Sequence, residues 1–237
     1  MASGHSMAYV SFRRALQQAT ALINIERSLP DPPTGSQVPL AEGLRGGSLV
    51  LMVASFEGYL RDVFEERLDG LGVGLTQRTF DLLPDRVQTT SVFNLLTEAM
   101  HGAPGKSVPH ERIHRLSGVR DAALSVSGRR LHGRAFSSTG SNPNSFTVKN
   151  LFKQVDYSDV FATTHSRFVG HWGSPVPHDY AQRKLDYVVG ARHEIAHGAN
   201  VLSRSRADLK EAERLMRILS LTLDDALRIH INRLSRV

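Results

Sequence analysis

Cysteine is absent from all 237 residues. That excludes disulfides, thiolate metal sites and a cysteine nucleophile, and it suits a reducing cytoplasm, where we expect the protein to work. Long apolar runs are absent as well. The longest, around Leu49 to Ala54, falls far short of the roughly 20 residues that a membrane-spanning helix needs. No membrane association and no secretory leader are expected. Acidic side chains are in deficit: 23 Asp and Glu stand against 29 Lys and Arg, giving a net charge of +6 and a pI near 10.0. A basic surface attracts polyanions, among which RNA is the obvious candidate. Nor is there an internal repeat, or a run of strands able to form a sheet.

What is present reads mostly with helical period. The opening MASGHS, residues 1–6, looks like a remnant of recombinant expression with Met7 as the natural start, and we set it apart from the domain expected over 7–237. Residues 8–28 place Val10, Phe12, Leu16, Ala19, Leu22 and Ile23 on one broad face. After a loop over Pro30–Pro39 the pattern predicts a helix from about Glu42 to Leu68. There Leu49, Met52, Val53, Phe56, Leu60, Val63 and Phe64 recur at three- and four-residue steps. Helices are predicted over 75–83, 84–100 and 109–126, with Pro84 and Pro109 suited to a first turn. A loop or short hairpin follows over 127–145, then helices over 147–154 and 158–169. A helix from about His178 to His197 stops at Gly198. A last one starts near Ser205, whose hydroxyl and Asp208 form a capping box, and buries Leu209, Met216, Leu219, Leu223, Leu227 and Leu234. His230 lies on that buried face and reads as a packed or hydrogen-bonded core residue.

One stretch carries chemistry. RHEIAHG, residues 192–198, contains H-E-x-x-H, in which two His four residues apart share a metal while the Glu between them activates water. It also contains R-x4-H, Arg192 to His197. Chance would supply the first pattern about 0.02 times in such a chain and the second about once, so as a bare pattern zinc leads. Context reverses the order. A catalytic zinc needs a third protein ligand. In the spacing H-E-x-x-H-x-x-G-x-x-H, Asn200 and Ser203 stand where Gly and His are required. In the layout with a Glu some twenty residues downstream, Glu211 and Glu213 come too early and position 217 is Arg.

Two blocks, LVLMVASFEGYLRDVFEERL (49–68) and LDYVVGARHEIAHG (185–198) with the helix after it, resemble the HEPN superfamily of small all-helical domains, and within it the RiboL-PSP-type group. The family motif is Arg, then a polar residue, three further positions and His; Arg192, His193 and His197 fit it in order. The resemblance implies an all-α, HEPN-like helical bundle; residues 75–170 match no part of the family pattern and read as a central insertion that could set substrate choice. It further implies a metal-independent endoribonuclease without cofactor, leaving a 2′,3′-cyclic phosphate and a 5′-OH, in a toxin or antiphage-defence setting with an antitoxin or defence-system partner. A zinc-dependent hydrolase and a non-catalytic RNA-binding or interaction module are the alternatives.

The chemistry is coherent. His exchanges protons near neutral pH, whereas Arg stays charged and presents a planar fork of donors to phosphate oxygens. His197 is therefore assigned as general acid or base, Arg192 as transition-state stabiliser and His193 as an assistant or phosphate contact. Five residues at 100° each place Arg192 and His197 about 140° apart around one helix, so one copy converges poorly on a phosphate. Family members resemble a solution, a homodimer lining one groove with both Arg–His sets, and a homodimer is expected here. Glu57, at the margin of the apolar stripe, is a candidate to orient Arg192, or else pairs with Arg61 at i+4. The basic loop with Arg129, Arg130, His132 and Arg134 could track an RNA backbone, or be a solvated turn.

Overall fold

The apolar stripe centred on Phe56 finds its main partner in the first helix. In the computed structural model, which describes residues 4–100, 109–140, 142–196 and 204–236, α1 (Met7–Glu26) lies along α2 (Gln37–Gly74). Phe12 meets Tyr59 at 5.3 Å between ring centroids, and Tyr9 meets the same ring edge-on at 6.4 Å. Such tilted and T-shaped pairs suit the ring quadrupole. Ser6 belongs to this arrangement. Its hydroxyl accepts from Tyr9 N at 3.0 Å, capping α1, and its own N–H donates to the buried carboxylate of Asp224 at 3.1 Å.

The helix α2 starts five residues earlier than its periodicity suggests. Pro39 sits third in the helix, where an N–H would have no intrahelical partner, so the ring costs nothing there. Beyond it come α3 (Gln77–Asp81), α4 (Asp85–Met100) and α5 (Pro109–Ser127), the last two packed as a hairpin. The loop expected over 127–145 contains one 3-10 turn (Gly133–Phe136). Four more helices follow: α6 (Ser145–Gln154), α7 (Val160–Trp172), α8 (Tyr180–Ala196) and α9 (Arg206–Leu234). Among the described residues there is no strand, so the protein is all-α as expected, and none of these helices is long and apolar enough to cross a membrane.

Helix α9 closes the bundle against α1, α2, α7 and α8. Leu209, Met216, Leu219, Leu223 and Leu227 are buried, and Tyr59 Oη donates to Ser220 O at 2.7 Å. Burial raises the Tyr59 phenol well above its ordinary pKa, with Asp224 adding to it. The Ser205–Asp208 capping box is present as expected. His230 plays the predicted structural part, its Nε2 2.6 Å from Val155 O and its ring edge-on to Tyr157.

Two features of the bundle escape the periodicity. Glu26 is fully buried at the end of α1, where its two oxygens take Arg45 of α2 at 2.6 Å and Arg206 of α9 at 2.8 Å. Arg45 also donates to Arg204 O at 3.0 Å, and its guanidinium lies 3.2 Å from Asp31. The other feature is a close backbone approach. A Cβ on Gly133 would sit 2.1 Å from Glu65 O, and one on Gly72 would sit 2.8 Å from Leu131 O. Glycine on both sides lets the 3-10 segment lie directly on α2. Asp69 holds it there by accepting from Gly133 N at 2.6 Å.

Candidate functional site

Helix α8 carries the motif. Ala181, Leu185, Val188, Val189 and Ala191 form its buried face, and Arg192 lies seven residues beyond Leu185, almost in line with it. The side chain of Arg192 consequently leaves the core stripe half-buried at the helix end, while His193, 100° further round, is exposed. Both line one cavity of about 540 Å³, whose walls also include Asp186 and Gly190 of α8 and Ser145 and Phe146 of α6. Asp186, Val189, Gly190 and His193 follow the i, i+3, i+4, i+7 line, so one strip of α8 forms a wall. His197 and the expected stop at Gly198 lie outside the described residues.

The opposite wall is tied to the motif helix by a single carboxylate. Asp186 accepts from Ser145 N at 2.8 Å and from Ser145 Oγ at 2.7 Å. Asn144 caps the same helix end by accepting from Thr147 N at 2.9 Å. Together they satisfy donors at the start of α6 that have no partner within the helix. Neither Asp186 nor α6 was singled out by motif reading. The i+7 relation of Asp186 to His193 was the available signal.

Arg204, downstream of the motif, is held through both its side chain and its backbone. Arg204 pairs with Glu194 at 2.6 Å and donates to Tyr187 Oη, lying over that ring at 4.8 Å, while its backbone oxygen is held by Arg45. Burial opposes the charge of Arg204, but the hydrogen bonds it donates to Tyr187 and Glu194 outweigh it and hold the guanidinium protonated. Glu194, which would activate water in a zinc site, is thus an ion-pair partner. Glu211 accepts from Tyr180 and Lys184, each at 2.5 Å, and Glu213 accepts from Thr20 at 2.9 Å. Every carboxylate weighed for a zinc mechanism is engaged by a protein donor.

Glu57 is placed elsewhere. It lines a larger cleft of about 950 Å³ between α2, α4, α6 and the 3-10 segment, and its Oε1 accepts from Thr139 Oγ1 at 2.8 Å. Among the described residues no ion pair joins Glu57 to Arg192 or to Arg61, which reaches Asp62 instead. The reason is the face: α2 turns Glu57, Arg61 and Glu65 into the cleft beside the 3-10 segment. In that cleft, burial pushes the Glu65 carboxyl up, with Asp69 and Asp62 adding to the effect. The basic loop is also partly used up within the fold. Arg129 pairs with Asp81 and Arg134 with Asp121, both at 2.9 Å, while Arg130 is exposed.

With this geometry in place, one family model matches: RiboL-PSP-HEPN, over residues 13–228, a range that runs through residues 75–170. No curated protein and no solved structure matches the chain.

Proposed function

The chain belongs to the RiboL-PSP-HEPN family, and from that premise we propose that it is a metal-independent endoribonuclease whose catalytic groups are Arg192 and His197. The observation that carries the reading is the shared cavity at the end of α8, where Arg192 and His193 meet on one wall. A guanidinium sealed in the core could reach no substrate; this one is half-buried and opens on a cavity. The engagement of Glu194, Glu211 and Glu213 by protein donors supports the same choice over zinc hydrolysis.

In the proposed reaction the ribose 2′-oxygen attacks the adjacent phosphorus. One imidazole takes the 2′-OH proton, the bond from phosphorus to the 5′-oxygen breaks, and an acid returns a proton to the departing oxygen. The products are a 2′,3′-cyclic phosphate and a 5′-OH. Arg192 stabilises the pentacoordinate phosphate, on which negative charge accumulates. His197 serves as base or acid, the role an imidazole can take because it exchanges protons near neutral pH, and His193 contacts the phosphate. The angular separation of Arg192 and His197 motivates a homodimer in which two motif helices line one groove. A toxin or antiphage role, with a restraining partner, follows from the same family reading.

The decisive assay is cleavage of RNA in EDTA by the wild type, Arg192→Ala and His197→Ala, with end-group analysis. Cleavage that survives chelation, leaves cyclic phosphate and is abolished in both variants is expected. Metal-dependent cleavage, or RNA that is bound but never cut, would overturn the proposal. Light scattering of the same samples tests the dimer.

A further inference from the structure

Among the described residues, Phe146 is the one Phe, Tyr or Trp on the walls of the Arg192–His193 cavity. It is 69% exposed, and among the described residues its ring meets no other aromatic ring. It stands second in α6, whose first residue is fastened to the motif helix by Asp186. Its neighbour Val148 is fully buried and serves the core, as do Leu151 and Phe152; Phe146 does not. An exposed Phe needs no special explanation by itself. Here, however, a bare ring, a guanidinium and an imidazole share one cavity of about 540 Å³, within the range of small-ligand sites.

The geometry points to Phe146 as a stacking platform for an unpaired nucleobase next to the phosphate held by Arg192, which makes single-stranded RNA, in a loop or at an end, the substrate class. This rests on the ribonuclease reading and extends it. A base within an A-form duplex is stacked on both faces and unavailable, whereas an unstacked base offers its π-face to an aromatic ring. The anchoring of α6 matters because the ring is useful only at a fixed distance from the cation. Asn142, on the same wall, lies within the cavity to meet the edge of a base so held.

The test separates the platform from the cleavage chemistry. The probe is a mixed-sequence single-stranded RNA of about ten nucleotides, within the usual span of single-strand sites, carrying 2′-O-methyl riboses so that it binds without being cut. Phe146→Trp adds a reporter to the single native indole, Trp172, which is only 5% exposed and supplies a constant background. We expect the probe to quench the new indole, and its duplex form to leave the emission unchanged. Phe146→Ala should weaken probe binding about tenfold or more, the size of one lost base–aromatic stack. Phe146→Tyr should restore it, while Phe93→Ala, removing a ring 65% exposed on α4, should leave it unchanged. With cleavable RNA the loss should fall on KM and spare kcat. Wild-type affinity in Phe146→Ala, with cleavage intact, would overturn the platform and leave the nuclease standing. Quenching without cleavage of ordinary RNA would uphold the platform and overturn the nuclease; binding to neither strand form would overturn both.

Discussion

Replacing Glu26 by Gln keeps the shape of the side chain and deletes one charge from a site with no solvent exposure. In the wild type two guanidinium groups share that carboxylate: Arg45, whose side chain is 4% exposed, and Arg206, 23% exposed. Asp31 remains in the variant, 3.2 Å from Arg45 and 3.7 Å from Arg206, but its side chain is 46% exposed and therefore partly screened. Breaking a buried pair from one side costs about 3–5 kcal/mol, because the surviving charge has been desolvated and is no longer compensated. With Asp31 in reserve we expect the lower end, about 3 kcal/mol. In urea, with a slope of about 2 kcal/mol per molar, the midpoint should fall by about 1.5 M. The second replacement Arg45→Met removes the stranded charge, and the double-mutant cycle should return a coupling of about 1–2 kcal/mol. A loss below about 0.5 kcal/mol, the size of a surface pair, would refute the reasoning, since it would mean that water reaches the cluster.

Three further outcomes follow from the same structure. Gly133→Ala must push a methyl group against Glu65 O, 2.1 Å away, and should destabilise the fold by about 2–3 kcal/mol, as forced overpacking does; thermal unfolding measures it, and an unchanged midpoint would deny the close approach. Ser205→Ala should cost about 1 kcal/mol of stability through the lost cap. Burial opposes the Asp208 charge, but the Ser205 hydrogen bonds outweigh it and hold the carboxyl below its usual pKa. That stability is present above the unfolded pKa and is lost as pH falls through the folded one, so the acid limb should be shallower in Ser205→Ala. Glu65 has the opposite sign. Its folded pKa is raised, so its ionisation subtracts stability as pH climbs past the unfolded pKa. Glu65→Gln should melt higher than wild type at pH 7 and nearly together with it below about pH 4; an equal difference at both pH values would contradict the shift.

The parts of the fold legible in the sequence are those where burial and periodicity coincide. The Phe56 stripe, the Ser205 cap and the hydrogen-bonded, packed position of His230 all depend on local spacing or on one residue's class. Glu26 and Arg45 were invisible for a physical reason. Charged residues are almost never fully buried unless paired, and the pair is 19 residues apart in the chain, brought together only by the packing of α1 on α2. Glu57 shows the converse error: its place on the stripe margin is right, but its partner depends on which element covers that face, and the covering segment at Thr139 has no period to read. Arg129 and Arg134 read as a basic run because the acids that hold them, Asp81 and Asp121, belong to other helices. At the site, the motif positions of Arg192 and His193 were explicit in RHEIAHG. Phe146 was not, since a lone aromatic after N-P-N-S resembles any other helix start.

Asp186 joins two helices that are 26 residues apart along the chain at their nearest ends, and it does so with both oxygens on one residue. The motif helix and the start of α6 are thereby geared: a rotation of α8 that turned Arg192 would carry the Ser145 amide with it. Hydrogen exchange at that amide is therefore a remote gauge of the motif helix, readable without substrate, and Asp186→Asn should disengage the two.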